Sequence, residues 1–205
     1  MRRTNLCTNP DKRSAILNAA RARFSRYGLS KVTMDEIAAD LGMSKAALYY
    51  YFATKEEMFR QVIAQERQDF VSRIESIIAH QCASSEKLGA YFAEHLTLLG
   101  TLLDLRILST QAGDAIHPIM RALFKEFNRR ETSLLEIILR EGRKRKEFRL
   151  DFPAKTALFV QHVLVGLRIR FFKSIQDREF GKADIRVYKN EISYFSKIFI
   201  QGISH

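Results

Sequence analysis

The run Lys45-Ala46-Ala47-Leu48-Tyr49-Tyr50-Tyr51 sets an ammonium, small methyl side chains and three adjacent phenols within two turns of a helix. At helical spacing Lys45, Ala46, Tyr49 and Tyr50 share an outward side, and Leu48 takes the opposite one. These groups suit contact with a nucleic acid rather than bond cleavage. Lysine pairs with a phosphate or with guanine O6/N7, and Ala46 permits close approach or contact with a thymine methyl. One helix face cannot bury Tyr49, Tyr50 and Tyr51 together, so at least one points outward. Tyr50 is the expected base contact, and Tyr50→Ala is expected to weaken it by roughly 1–3 kcal/mol.

The flanking residues specify the elements that must hold this face. Thr33-Met34-Asp35-Glu36 is a capping box that starts a short helix. Ile37, Ala38 and Leu41 form its inner side, and Ala38 is small enough for a close crossing. Gly42 is placed to end it in the left-handed region. Ser44 caps the next helix, Lys45–Tyr51, with Phe52 inward just past its end. Thr54-Lys55-Glu56-Glu57 is a second capping box. Helix, glycine turn, helix is the outline of a helix-turn-helix, whose second helix enters a major groove. A helical hairpin inside an ordinary all-α protein shares that outline.

The wording is more specific than the outline. Phe24-Ser25-Arg26-Tyr27-Gly28, Thr33–Ala38, Leu41–Tyr49, Tyr51-Phe52 and Lys55–Phe59 resemble the DNA-binding domain of the TetR (tetracycline-repressor) family of bacterial regulators. The resemblance covers about Ala15–Phe59. It implies phosphate contacts at Thr33, Tyr49 and Lys55, beside Ser44, Lys45, Ala46 and Tyr50 around the recognition helix. It also implies a homodimer on a palindromic double-stranded DNA operator. The last two helices of each subunit would then pair as a four-helix bundle.

Composition agrees with an all-α chain. Of 205 residues, 46% are hydrophobic, with three Pro, nine Gly and no Trp. That is enough apolar matter for a core and few turn signals for a β-sandwich. The net charge of +11 suggests a polyanionic partner. Residues 1–60 carry 11 Lys/Arg against 6 Asp/Glu, which places a basic block around the helix-turn-helix. Cys7 and Cys82 make no disulfide framework, and a reducing cytoplasm is expected. Met1-Arg2-Arg3 leads into polar residues rather than a signal peptide, and no run is apolar enough to span a membrane. There is no phosphate-binding loop, no G-x-S-x-G and no dinucleotide glycine pattern, so no enzyme and no cofactor is expected. The five histidines are scattered, and His80-Gln81-Cys82 falls far short of a metal site.

Along the chain, Met1–Asn9 is a polar arm, with Arg2 and Arg3 in reach of a phosphate or a minor groove. Asn9-Pro10 starts a helix with Ile16, Leu17, Ala20, Phe24 and Tyr27 inward, and Gly28 stops it. A helix from Lys55 to about Gln81 would be roughly 40 Å long and would connect the DNA-binding part to the C-terminal helices. Its positive N-terminal end, with Lys55, suits a phosphate. Further helices are expected at Glu86–Leu103, around Leu105–Thr110, from Ile119 to about Arg145, at Pro153–Ile175 and at Ala183–Gln201. The expectation is about nine helices, with residues 1–54 as DNA-binding domain and residues 55–205 as ligand-binding and dimerisation domain. The last two helices, Pro153–Ile175 and Ala183–Gln201, carry broad apolar faces that suit self-association.

Polar residues on apolar stripes mark candidate contacts to a small apolar or amphiphilic effector. His95 lies among Tyr91, Phe92, Leu96 and Leu99, and His162 among Leu158, Phe159, Gly166 and Ile169. The candidate set is Phe92, His95, Phe124, Phe127 and His162, with Arg106, Gln111, His117 and Arg168 as weaker members and Phe159 among the core aromatics. Arg143-Lys144-Arg145-Lys146 suits a helix C-terminus; it also suggests an anionic amphiphile, such as a fatty acid or acyl thioester, held near a Lys or Arg. The functional expectation is a ligand-responsive repressor. The alternative is a DNA-binding regulator without a small-molecule effector, controlled by a protein partner.

Overall fold

A computed structural model describes residues 10–104, 116–175 and 182–204. Among them the chain forms eight α-helices and one 3-10 turn: α1 (Pro10–Tyr27), the turn Leu29–Lys31, α2 (Met34–Asp40), α3 (Lys45–Tyr51), α4 (Lys55–Ala79), α5 (Ser84–Asp104), α6 (Ile116–Lys144), α7 (Pro153–Ile175) and α8 (Lys182–Ile203). The fold class is all-α, as expected. The short helix expected near Leu105–Thr110 lies outside the described residues, as do Met1–Asn9. α6 starts before Pro118 rather than at it. Proline fits there because the first-turn N–H groups have no intrahelical acceptor to lose. No described helix is long and apolar enough to cross a membrane.

The chain forms two compact units, one from Met1–Gln65 with Leu102–Met120 and one from Glu66–Thr101 with Arg121–His205. In the first, Ile16, Ala20 and Phe24 of α1 meet Ile37 and Ala38 of α2, Leu48 of α3 and Phe52 in one buried core. The opening turns of α4 add Met58, Phe59, Val62 and Ile63, with Phe59 edge-on to Phe24 at 5.2 Å. Tyr27, expected inward, is exposed because it follows the last inward turn of α1; Arg23 and Arg26 lie over its ring. Leu41 is only half-buried, as the capping residue of α2.

Gly42 ends α2 with φ +60, and a side chain there would meet nothing within 4 Å. Any cost of Gly42→Ala is therefore conformational. We expect a loss of about 1 kcal/mol in chemical unfolding, with operator affinity following stability. A loss beyond about 3 kcal/mol would mean that Gly42 has a packing role.

In the second unit α4, α5, α6, α7 and α8 each contribute to the interior. Phe70 and Ile74, Leu88 and Phe92, Leu135 and Ile138, Val160 and Leu164, and Ile192 are all buried. Lys87 is buried too, its ammonium donating to the Ile78 carbonyl and to Glu141, both at 2.8 Å. Phe148 and Ser204 form an isolated β-bridge, and the described residues contain no strand.

Candidate nucleic-acid interface and a buried polar centre

Local hydrogen bonds hold α3 in place at both ends. The Ser44 hydroxyl accepts the Ala47 N–H at 3.2 Å and so caps the first turn. At the other end Arg13 of α1 donates to the Tyr51 carbonyl at 3.1 Å and to Gln61 at 2.7 Å, with its guanidinium 4.4 Å above Phe52. That satisfies a carbonyl the helix end would leave open. α2 is fixed by its capping box. The Thr33 hydroxyl accepts the Glu36 N–H at 3.3 Å, and Glu36 accepts the Thr33 N–H at 2.8 Å. The Thr33 N–H and hydroxyl both donate to Glu36 and hold its carboxyl below the usual range. Arg23 of α1 then grips Asp40 through paired contacts of 2.5 and 2.8 Å and reaches Glu36 at 3.3 Å. Arg13 and Arg23 are thus structural ties between helices.

The result is an outward face on a fixed helix. Leu48 is fully buried, while Tyr49 is 43% and Tyr50 53% exposed, with Lys45 and Ala46 exposed alongside. Tyr51, half-buried, meets the Tyr50 ring edge-on at 5.4 Å. Lys45 pairs with Asp35 at 2.9 Å, and that pairing raises its pKa. Both side chains are solvent-exposed, so the pair is weak and Lys45 can exchange it for a phosphate or a base at little cost. This face offers one cation, two phenols and a methyl group to a groove.

Lys55 sits differently from the expectation. Its ammonium donates to the carbonyls of Leu29 (3.1 Å), Ser30 (3.4 Å) and Val32 (3.1 Å), closing the 3-10 turn against the start of α4. An ammonium has three N–H donors, so all are engaged in the fold. Replacing Lys55 with Met is expected to lower unfolding stability by about 1–2 kcal/mol. Operator affinity per folded molecule should stay within about two-fold, since less than about 0.5 kcal/mol is at stake. A large affinity loss in a fully stable variant would support the phosphate role.

The effector candidates part company. His95 and Phe92 of α5 and Phe127 of α6 are buried in the second unit. The side chains of Phe124, Arg106, Gln111 and His117 lie outside the described residues. His162 is exposed, on the side of α7 that also exposes Leu158, Phe159 and Ile169. It shares a face with the residues expected around it, but that face is turned outward, so its surroundings suit an interface rather than a pocket. Phe159 is correspondingly exposed rather than core. Arg143, Lys144, Arg145 and Lys146 are all exposed at the end of α6, where Arg145 pairs with Glu141 and donates to the Cys82 carbonyl.

The polar residues that do converge are inside. Glu131 of α6 is fully buried. It accepts from Tyr91 at 3.0 Å, from the His95 imidazole, and from Gln161 at 3.0 Å. Burial pushes its carboxyl up, but His95, Arg168 and Gln161 outweigh that and hold it below the usual range. The same burial pushes the Tyr91 hydroxyl well up and the Tyr188 hydroxyl to about 12. Arg67 of α4 is 3% exposed and lies 4.3 Å over the Phe127 ring. Arg168 of α7 is 8% exposed. Phe70 meets both His95 (5.4 Å) and Phe127 (5.5 Å), and Phe92 meets Phe195 (5.8 Å) and Phe199 (6.2 Å), so aromatic rings surround the polar groups.

Residue type and periodicity point to His95 and, more weakly, Arg168, and miss Glu131, Arg67 and Gln161. Glu131 and Arg67 nonetheless left a signal. Glu131 lies four residues after Phe127 and four before Leu135, and Arg67 four after Ile63, so both sit on apolar stripes. Among the described residues, no group of three potential metal ligands comes together.

The profile described as "Bacterial regulatory proteins, tetR family" matches residues 16–62, from inside α1 to the first turns of α4. A transcriptional regulator from Cytophaga hutchinsonii has a similar structure, with a TM-score of 0.87 at 31% identity over 95% of this chain and 99% of that one. The nucleoid occlusion factor SlmA of Idiomarina loihiensis is 31% identical over 145 residues, 68% of this chain and 71% of its own. The HTH-type transcriptional regulator YfiR of Bacillus subtilis is 36% identical over 72 residues, so the match spans about a third (35%) of that relative's length.

Proposed function

Because the chain belongs to the TetR family of DNA-binding transcriptional regulators, we propose that it is a ligand-responsive repressor acting as a homodimer on a palindromic operator. The observation that carries this reading is the outward face of α3, where Tyr49 and Tyr50 are exposed over a buried Leu48. Lys45, Ala46, Tyr49 and Tyr50 read the major groove, and Thr33 and Ser44 position the elements that present them. Residues 1–54 form the DNA-binding domain, and residues 55–205 bind the effector and dimerise.

Dimerisation is supported by apolar stripes left open on α7 and α8. Leu158, Phe159 and Ile169 on α7, and Val187, Tyr194 and Ile198 on α8, are each about half or more exposed. These large apolar side chains stand open on each helix, interspersed with His162, Asn190 and Glu191. Exposed apolar residues on two helices that touch each other are of the kind that a second copy covers. A two-fold dimer presents two copies of α3 to two half-sites. Ligand binding in the second domain acts on DNA only if the ligand prefers one of two dimer states, with α4 the covalent connection.

Selection of bound sequences from a random duplex pool, repeated across salt concentrations, tests the reading. The expected result is a palindromic consensus with a steep loss of affinity on raising salt. Weak, sequence-independent binding at all salt concentrations would overturn it.

A further inference from the structure

Asp35 lies in the first turn of α2 and Lys45 opens α3, ten residues later. The Lys45 ammonium is 2.9 Å from both carboxylate oxygens of Asp35. The two side chains are 59% and 61% exposed, and the Tyr49 ring lies 6.0 Å from the same ammonium. The other acids of α2 are engaged elsewhere: Glu36 closes the capping box, and Asp40 is held by Arg23. Glu36 already supplies a favourable negative charge at the helix start, so the helix dipole does not require Asp35 as well.

A carboxylate beside the groove-facing cation is unfavourable against a polyanion unless something there donates to it. Parting an exposed ion pair costs little. The cost arises afterwards, when Lys45 takes a phosphate and Asp35 is left facing the backbone charges. A G·C pair receives both charges at once. Lysine pairs with guanine O6/N7 and aspartate accepts from cytosine N4, and these groups lie side by side on the major-groove edge.

Building on the groove-reading role of α3 above, we infer that Asp35 is a specificity-determining residue, which with Lys45 reads one G·C pair in each half-site and penalises duplexes that lack it. Lys45 donates to the guanine, and Asp35 accepts from the cytosine. On other sequences the Asp35 carboxylate opposes the phosphates that Lys45 would otherwise take.

The test compares the full chain with Asp35→Ala, Asp35→Asn and Lys45→Ala. Each is titrated with the operator selected from a random duplex pool and with a mixed-sequence duplex, and thermal melts serve as controls. Asp35→Ala is expected to bind the mixed-sequence duplex more tightly and to lower the operator-to-mixed affinity ratio roughly ten-fold. Its salt dependence on the mixed-sequence duplex should steepen by about one unit per subunit, as Lys45 becomes free to neutralise a phosphate. Repeated selection should show the same G·C position loosened in Asp35→Ala and in Lys45→Ala, with the other positions kept. An unchanged ratio in folded Asp35→Ala overturns the inference. Loosening at an A·T position, or at different positions in the two variants, overturns it too. If Asp35→Ala does not fold, Asp35→Asn decides by the same ratio, because it keeps the shape and removes the charge. Tyr50→Ala separates this inference from the reading beneath it. Lost operator affinity in Tyr50→Ala with an unchanged Asp35→Ala ratio leaves α3 as the groove reader and refutes the role of Asp35 alone. Absence of any sequence preference in the unaltered chain overturns both.

Discussion

Replacing Glu131 with Ala is expected to cost the fold about 3–5 kcal/mol. Three donors lose their acceptor at once: the Tyr91 hydroxyl, the His95 imidazole and the Gln161 amide. All three side chains are buried, so water does not readily replace the lost acceptor. Arg67 and Arg168 also lose a favourable electrostatic interaction with the carboxylate. Urea unfolding checks the value, as a lower midpoint with an unchanged slope. A loss below about 1 kcal/mol would show that the centre relaxes around the missing group.

The same residue sets a pH dependence of definite sign. The folded-state carboxyl of Glu131 lies below its ordinary value of 4.5. The folded state therefore binds this proton less readily than the unfolded state does, and stability rises with pH across that interval. Its contribution is whole above about pH 4.5 and is lost as pH falls through the lowered folded value. Glu131→Gln should flatten this acid limb of the stability profile. An unchanged limb would assign acid sensitivity to other carboxylates.

The second large effect concerns DNA. Tyr50→Ala is expected to weaken each half-site contact by roughly 1–3 kcal/mol. A two-fold dimer takes the loss twice, so an operator loses roughly 2–6 kcal/mol. Tyr50 is about half exposed and its neighbour Leu48 carries the burial, so the melting temperature should barely move. Titration of the selected operator, with a thermal melt as control, separates the two effects. Unchanged affinity in a folded variant would remove Tyr50 from the interface. Tyr49 makes a useful comparison, because a residue that touches only phosphate should weaken all duplexes alike.

The two halves of the molecule were legible to different degrees. In the first unit the sequence determined nearly everything that positions α3. The capping box at Thr33 and Glu36, the Ser44 cap, the left-handed Gly42 and the inward Leu48 and Phe52 all sit where the residue types required. The caps and the glycine turn close within a few residues, so residue type and spacing carry them, and helical periodicity sets Leu48 opposite the outward face. Lys55 and Arg13 are the exceptions. Their partners, the carbonyls of Leu29, Ser30 and Val32 for Lys55 and the Tyr51 carbonyl with Gln61 for Arg13, lie more than twenty residues away, and backbone acceptors leave no mark in a sequence.

In the second unit periodicity located the helices but not their common interior. Arg67, His95, Glu131, Gln161 and Arg168 come from four helices, and their pairing depends on how those helices pack. A charged residue on an apolar stripe reads the same whether it meets an opposite charge, a ligand or solvent. The same ambiguity holds for His162, whose apolar neighbours lie on the outer face of α7. Burial is a property of the assembled helices, so the tertiary structure alone decided which polar residues form the centre and which face outward.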